Sequence, residues 1–353
     1  MARLEFSPKD RIALAKRVAN RCSFPGCSAI TSGPSDESDS AVSNTGTACH
    51  IISASQGPNA RRNIPGTNPD DIRNINNGIW MCRTHGTLID TDEVTYSVEM
   101  LRTWHKIAEF RAKYEQEQGK PLDFNYVRPS IPVVSEKLVI TTTDDINRQV
   151  GELLINCCVP QIWGDSSNDA IRDLIIEIAI NAIEHAQTHE VTIRVTPQRI
   201  QINYDSASFD PIIELSKSNR GGGKAMRHVL DSFSDQIIVT YKFEHENNEL
   251  VIAVPNTSSD VLRVTPCSMA LDNAAATTKV QDDFVRTEGC SVIYIVLPRF
   301  FGRSDMRKLK DILKEYVPAN KRLVFIAEDI SAGVAAQIID EIKGANVIKL
   351  KGQ

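Results

Sequence analysis

The sequence predicts a multidomain α+β protein. At 353 residues the chain is too long for one hydrophobic core. The run GKPLDFNYVRPSIPVV has the composition of a linker over residues 119–134. Beyond it, strand-like and helix-like segments alternate to the end of the chain, which indicates α/β structure.

The composition restricts the class of protein. Hydrophobic residues make up 41% of the chain and charged residues 24%, and no apolar run approaches the ~20 residues that span a bilayer. Because the start, MARLEFSPKDR, lacks the apolar core of a signal peptide, we expect a cytoplasmic protein without a membrane partner. Its eight cysteines should then be metal ligands or buried apolar residues and not disulfide partners. With a net charge of −5, any nucleic-acid surface must be a local patch.

Residues 1–118 predict a small, loop-rich module. Ser7 before PKDRIALAKRVANR indicates a capped helix that leads into Cys22. Residues 31–76 are rich in Ser, Asn, Gly, Pro and Asp, which predicts long loops around a small site. The segment SVEMLRTWHKIAEFRAKYEQEQ has helical periodicity, with Ser97 as its N-cap.

Four residues of this module have the spacing of metal ligands. Cys22 and Cys27 form C-x4-C, and Cys82 and His85 form C-x2-H. Three thiolates and one imidazole are the ligand set of a closed structural zinc site, on which a loop-rich sequence can fold. The alternative is four unrelated buried residues.

The stretches CSFPGC, GTACHI, GPNARRN, NNGIWMC and HGTLID resemble the HNH (ββα-metal) endonuclease family over roughly residues 8–112. The resemblance implies nucleic acid as the target, with DNA favoured over RNA, and His50 as the general base that activates water. A neutral imidazole suits that proton transfer. The resemblance also implies that Asn77 braces the loop beside the base and that a Mg²⁺ or Mn²⁺ ion acts at the scissile phosphate.

Arg61 and Arg62, next to Gly57 in the GPNARRN stretch, are candidate phosphate contacts. A solvated loop is the alternative interpretation of this stretch.

The sequence departs from the family at both expected ligands of the catalytic ion. Cys49 stands before the base and Gly86 closes the motif. Glycine offers no ligand, and a thiolate suits zinc better than magnesium. His105, Asp90 or Asp92 could substitute. The module is therefore either a nuclease or a zinc-stapled module that only binds nucleic acid.

Residues 135–256 predict a second domain. LVITTT, EVTIRVT and RIQINY read as strands, DAIRDLIIEIAINAIEHA as a buried helix, KAMRHVLDSF as a glycine-led helix, and DQIIVTYKFE with ELVIAVP as a hairpin. Glu177, Asn181 and His185 share one face of the buried helix. On so apolar a helix they either face a cleft or are satisfied polar groups.

This pattern resembles the N-box of the GHKL ATPase family, and so implies an α/β sandwich that binds ATP with Mg²⁺. In that family the Asn holds the Mg²⁺ and the Glu activates water, roles that match Asn181 and Glu177. The run NRGGGKAMRHVL looks like the family's second glycine box, which contacts phosphates at a helix N-terminus through residues that match Gly221, Gly222, Gly223 and Lys224.

The adenine-reading box of that family is altered here. In NYDSASFDP, serines replace both glycines and Asp205 is one residue from the expected position. Asp205 could shift register and still read adenine, or the domain could bind another nucleotide or none.

Residues 257–290 form a connector that we leave unassigned, and residues 291–353 predict a small parallel α/β unit. That unit resembles STAS-like modules. Together the resemblances imply a metal-dependent DNA endonuclease regulated by a nucleotide, with a role in antiphage defence and the option of a homodimer. The alternatives are a non-cleaving sensor or adaptor and a regulatory serine-kinase-like ATPase.

Overall fold

The computed structural model describes residues 3–55, 57, 60–122, 131, 136–186, 188–217, 221–271, 277–316 and 321–350. The protein is mixed α/β and contains a parallel sheet. It divides into two compact units, Met1–Val134 with Leu154–Ile162, and Ser135–Leu153 with Trp163–Gln353. None of the helices in the described ranges combines the length and the apolar character that a membrane crossing needs.

The first unit is built around a two-stranded hairpin followed directly by a helix. Its elements are α1 (Pro8–Arg17), β1 (Ser32–Pro34), β2 (Val42–Asn44), β3 (Gly46–His50), α2 (Pro69–Arg73), β4 (Gly78–Cys82), α3 (Arg83–Thr91) and α4 (Val98–Gln118). Strands β3 and β4 are antiparallel, and Gly46 pairs with Cys82 while His50 pairs with Gly78. The register therefore puts the two predicted sites at opposite ends of one hairpin.

The two helices predicted for this unit have the predicted caps. Ser7 Oγ accepts a hydrogen bond from the Asp10 backbone N–H, and Ser97 Oγ accepts one from that of Met100. A small core lies between α1, β4 and α4, formed by Phe6, Leu14, Ala15, Val18, Trp80 and Ala108. The 31–76 stretch, predicted as loops, also contains the β1–β2 pair, β3 and α2. Its short strands were not predicted because they gain their stability from pairing rather than from a hydrophobic pattern.

The second unit contains two sheets. Its helices and strands are β5 (Glu136–Ile140), α5 (Ile146–Asn156, whose last three residues are assigned to the first unit), α7 (Asp165–Glu184), β6 (Val191–Val195), β7 (Arg199–Asp205), α8 (Pro211–Glu214), α9 (Gly221–Ser232), β8 (Ile238–Glu244), β9 (Asn247–Ala253), α10 (Ser258–Val264), β10 (Ser268–Ala270), α11 (Thr277–Arg286), β11 (Val292–Val296), α12 (Met306–Tyr316), β12 (Arg322–Ala327), α13 (Ala332–Glu341) and β13 (Asn346–Lys349). Helix α6 (Val159–Trp163) is assigned to the first unit except for Trp163. The first sheet has the order β5-β6-β7-β9-β8 and is antiparallel throughout.

The second sheet, β10-β11-β12-β13, is parallel throughout. Three of its strands are those predicted for the tail of the chain, and β10 comes from the stretch that the sequence left unassigned. Its inward side chains, such as Ile295 and Phe325, pack with Leu309 of α12 and Ile338 of α13 in one buried cluster. Alternating strands and helices thus form the parallel α/β unit that their order predicted.

One cysteine pair corrects a prediction. Cys267 and Cys290 form a disulfide, and neither side chain is exposed. Cys267 immediately precedes β10, and Cys290 lies just before β11. The pairing of these two strands brings the two Cα atoms to 5.7 Å, within the range for a disulfide. The expectation that no cysteine is disulfide-bonded was wrong, and cysteine usage no longer argues for a reducing compartment.

Candidate metal centre and catalytic residues

The structure brings the four predicted metal ligands together. The Sγ atoms of Cys22, Cys27 and Cys82 and a ring nitrogen of His85 all lie within 4.8 Å of one another. His85 Nδ1 is 3.1 Å from Cys82 Sγ and 3.5 Å from Cys22 Sγ. Tetrahedral zinc with Zn–S bonds of about 2.3 Å would hold its sulfur atoms roughly 3.8 Å apart, so little movement is needed. The cluster could hold a metal ion such as zinc.

Two local structures present these ligands. Around Cys22 and Cys27 the chain makes a tight turn, in which the Phe24 N–H points to Cys22 Sγ at 3.5 Å and the Cys27 N–H donates to the Phe24 carbonyl. Gly26 has a φ of +78°, a conformation that favours glycine. The other two ligands flank the junction of β4 and α3, since Cys82 ends the strand and His85 lies in the first turn of the helix.

Aromatic side chains cover the cluster. The Phe24 ring stacks on His85 at 3.9 Å between centroids, and Trp104 of α4 meets Phe24 edge-on at 4.8 Å. Burial lowers the pKa of His85 and raises the pKa of the Cys22 thiol to about 12. A metal ion would therefore displace a proton from Cys22, and the cover that disfavours a free thiolate would strengthen its bond to a cation.

His50 ends strand β3 in a closed position. Its side chain is only 5% exposed, and the Phe6 ring stacks on it at 3.8 Å with a 7° angle between the planes. The Nε2 atom is buried without a hydrogen-bond partner. Burial is the main cause that lowers the pKa of His50 below its ordinary 6.5, so the imidazole is neutral at neutral pH. A neutral ring with an unpaired nitrogen is suited to accept a proton.

Asn77 fixes the loop that follows His50. Its Nδ2 donates to the carbonyls of Ile52, at 2.9 Å, and Ile72, at 3.0 Å, and its Oδ1 accepts from the Ile52 N–H at 2.7 Å. Removal of the amide would leave three buried backbone groups unpaired. This is the bracing geometry that the resemblance implies for Asn77.

Arg62 is not available as a phosphate contact. The side chain is buried, and its guanidinium donates to the carbonyls of His50, Ile51 and Ile89 and, at 2.8 Å, to the carboxylate of Asp90. It ties the end of β3 to the end of α3. The expectation for Arg62 is therefore corrected. Arg61 donates to the Asp90 carbonyl but remains exposed.

The position expected for a catalytic ion is filled by packing. A Cβ atom on Gly86 would lie 3.0 Å from Cys49 Sγ and 2.6 Å from Thr47 Cγ2. Cys49 is buried, which raises the pKa of its thiol to about 12, and Asp90, one turn further along α3, is paired with Arg62. A neutral thiol, a glycine and a carboxylate already bound to a cation do not form a Mg²⁺ or Mn²⁺ site.

The possible substitutes do not supply one either. His105 Nε2 pairs with Glu109 at 3.3 Å, and Asp92 accepts from the Thr95 N–H. Within the described ranges, the cysteine–histidine cluster is the one group of three or more potential ligands.

In the second unit, one predicted catalytic residue and two predicted nucleotide-binding residues share a cavity. Glu177, Gly221 and Lys224 line a space of about 450 Å³ with Asp173 and His228. The Glu177 carboxylate lies so close to α9 that a Cβ on Gly221 would be 2.5 Å from its Oε1. The first glycine of that helix therefore allows the approach of a carboxylate.

Asn181 lies beside Glu177 but outside the lining of the cavity. Its Nδ2 donates to the Glu177 carbonyl at 2.6 Å and would be 3.3 Å from a Cβ on Gly222. Gly222 and Gly223 are buried in the same helix contact. The predicted N-box and glycine box thus meet through α7 and α9.

Asp205 does not join this group. It ends β7 with an exposed side chain, and a hydrogen bond from Thr188 Oγ1 at 2.6 Å lowers the pKa of its carboxyl. Its neighbour Tyr204 points inward and is buried, because successive strand residues face opposite sides. Asp205, the predicted adenine-reading acid, is therefore not part of the described lining of the cavity.

Sequence reasoning missed Phe6 and Asp90 as parts of the His50 site. Phe6 could have been noticed as the large apolar residue directly before the N-cap Ser7, a position that often packs against its own helix. Asp90 was weighed only as a substitute metal ligand.

Comparison of the chain with protein families, with curated proteins and with solved structures gives no significant match in any of the three.

We predict that Gly86→Ala lowers the free energy of unfolding by about 1–3 kcal/mol, because the new methyl group would displace Cys49 and Thr47. The matched control is Gly33→Ala in β1, where a Cβ would meet nothing within 4 Å and the expected change is within about 0.5 kcal/mol. Urea unfolding of the two variants and the parent measures both. Equal effects of the two substitutions would show that Gly86 is not packed as described.

Proposed function

We propose that the first unit is a nuclease that hydrolyses phosphodiester bonds in DNA, with His50 as the general base. The observation that carries this is the buried, unpartnered Nε2 of a neutral imidazole. An unpaired buried polar atom costs about 1–3 kcal/mol. A catalytic role is one of the explanations for such an atom, and the position of His50 in the motif that resembles HNH nucleases selects it here. A water molecule at this nitrogen would give up its proton to Nε2 as its oxygen attacks the phosphorus. The P–O bond to the sugar oxygen breaks in the same step, and solvent protonates that leaving oxygen.

The surrounding residues have supporting roles. Asn77 and Arg62 hold the backbone on either side of the base, and the Phe6 ring stacks on the imidazole. Because Phe6 also covers the imidazole, the segment before α1 must move before a phosphate can reach Nε2. Zinc at the four-ligand cluster would hold the fold and take no part in the reaction.

We assign no step to a divalent ion at His50. The resemblance to HNH nucleases implies one, but Cys49, Gly86 and the Arg62–Asp90 pair do not supply its ligands. Whether cleavage needs Mg²⁺ or Mn²⁺ is therefore part of the test.

The second candidate is a zinc-stapled module that binds nucleic acid without cutting it. The packing of Cys49 against Gly86 favours it, because this contact fills the place of the expected catalytic ion. In that case the unpaired nitrogen of His50 would be a remnant, and a separate partner would carry out any chemistry.

We propose that the second unit regulates the first through an anionic ligand such as ATP. Its cavity of about 450 Å³ falls within the usual range of ligand sites, and Lys224 supplies a cation. At the first turn of α9, however, the Glu177 carboxylate lies where a phosphate would bind. A nucleotide would have to displace this carboxylate, which couples binding to a local change. The proposal also includes a cytoplasmic role in antiphage defence, as the sequence led us to expect.

We predict that at least one of two proteins, the parent and Phe6→Leu, nicks plasmid DNA. In the protein that cuts, His50→Ala should lower the rate about 10²–10⁴-fold, the usual contribution of a general base. Phe6→Leu should cut faster than the parent because it loses the stacked ring over the base. Each protein is assayed without added metal, with Mg²⁺ and with Mn²⁺.

The control for that assay is His105→Ala. His105 is a second histidine of this unit with a buried, unpartnered nitrogen, and it should be dispensable for cleavage. Intact DNA under all conditions, or equal losses in the two histidine variants, would contradict the assignment and favour the non-cleaving module.

For the second unit, we predict that Glu177→Gln binds ATP with Mg²⁺ at least about fivefold more tightly than the parent. The substitution removes a charge repulsion of about 1–4 kcal/mol at 4 Å. Glu184→Gln, the same change at an exposed position of α7, should have no effect. Isothermal titration calorimetry measures all three affinities. Equal binding by the parent and both variants would show that the carboxylate does not compete with phosphate.

A further inference from the structure

An open groove of about 470 Å³ lies in the first unit between helix α1 and strand β3. Arg11, Ala15 and Lys16 of α1 form one wall, and residues 46–48 of β3 form the other. The Trp80 side chain lies beneath Gly46, where any Cβ would collide with the indole. The glycine therefore keeps this wall of the groove low and flat.

The groove is positively charged in an acidic protein. Three cations, Arg3, Arg11 and Lys16, and one carboxylate, Glu5, line it, whereas the whole chain has a net charge of −5. Glu5 pairs with Arg3 at 2.7 Å, and both side chains are more than half exposed, so this pair contributes little and can be exchanged. Arg11 and Lys16, both exposed, have no side-chain partner in the part of the chain that the structure describes.

Uncharged donors complete the lining. Asn20 and Asn44 also line the groove, and Arg83 reaches its rim, where Nη2 donates to the Asn44 carbonyl at 3.4 Å. Guanidinium, ammonium, amide and hydroxyl groups are the donors that contact phosphate oxygens in protein–DNA complexes.

The groove leads toward His50. Gly46, Ala48 and His50 are alternate residues of β3 and share one face of the strand. The groove begins at Gly46, and four residue steps of about 3.3 Å give roughly 13 Å from there to His50, or about four base pairs of axial rise. A backbone bound in the groove would therefore continue toward the base.

We propose that this groove binds the phosphate backbone of double-stranded DNA, with Arg11 and Lys16 as its principal contacts. This inference takes DNA as the binding partner from the proposed function, but it does not depend on cleavage. It gives the first unit a nucleic-acid surface in place of Arg62, whose guanidinium is bound internally. The Arg3–Glu5 pair would open as phosphate replaces the Glu5 carboxylate.

Binding is tested in a His50→Ala background without added divalent ions, so that no cleavage occurs. Fluorescence anisotropy measures binding of a labelled 30-base-pair DNA from low to high salt. A matched RNA duplex is measured in the same way, and polyglutamate is added as a competitor. Arg11→Gln/Lys16→Gln should bind DNA about tenfold more weakly, and its plot of log K against log salt should be shallower by about 1.8, or 0.9 for each lost contact.

Arg102→Gln/Lys106→Gln is the matched control, because it makes the same changes at exposed positions of α4 outside the groove. It should bind as the background protein does, and Lys16→Gln alone should give about half the change in slope. Thermal unfolding of each variant verifies that it is folded.

Equal DNA binding by the two double variants would overturn the assignment of the groove as a DNA site, even if the parent cleaves DNA. Preference for polyglutamate, or for RNA over DNA, would overturn the assigned partner. Conversely, weaker DNA binding by the Arg11 and Lys16 variants, but not by the control, supports the groove as the DNA site even if no cleavage is found. In that case only the nuclease assignment fails.

Discussion

Four side chains that could hold a metal ion join two parts of the first unit that are far apart in sequence. The Cys22–Cys27 turn and the β4–α3 junction meet at this cluster. The turn is also tied to β4 and α4, because the Ser23 N–H donates to the Trp80 carbonyl at 2.9 Å and Arg111 donates to the Cys22 carbonyl at 3.1 Å. The same junction fixes β4, whose register with β3 fixes His50. A metal ion at the cluster would therefore position the base through one hairpin, although it lies at the opposite end.

The His50 site and the Glu177 cavity share a feature: each fills the position of its expected ligand with a group of its own. At His50, the Arg62 guanidinium holds Asp90 where a divalent cation is expected, and in the second unit the Glu177 carboxylate contacts the glycine helix where a phosphate is expected. The pairing with Asp90 satisfies the Arg62 guanidinium, which would otherwise be a buried charge without an ionic partner. Under the proposed functions, a ligand would have to compete with a protein group at each site.

Sequence patterns predicted what depends on local chemistry. The caps Ser7 and Ser97 and the spacing of the metal ligands identified two helices and a metal cluster. The alternation in the tail predicted the parallel strands β11 to β13. The predictions that failed concern residues whose partners are distant in sequence. Arg62 lies among loop residues, and only the tertiary fold brings four backbone or side-chain oxygens around it. The disulfide likewise depends on β10, whose three residues are too few to show a period.

Metal analysis of the purified protein tests the central dependence most directly. The account predicts one zinc ion per chain in the parent and in Cys49→Ser, a buried cysteine outside the cluster, and no bound zinc in Cys82→Ser. Chelation should unfold the first unit, seen as loss of the Trp80 and Trp104 environment, with release of the metal. A parent without stoichiometric zinc, or a first unit that stays folded after its zinc is removed, would contradict the account.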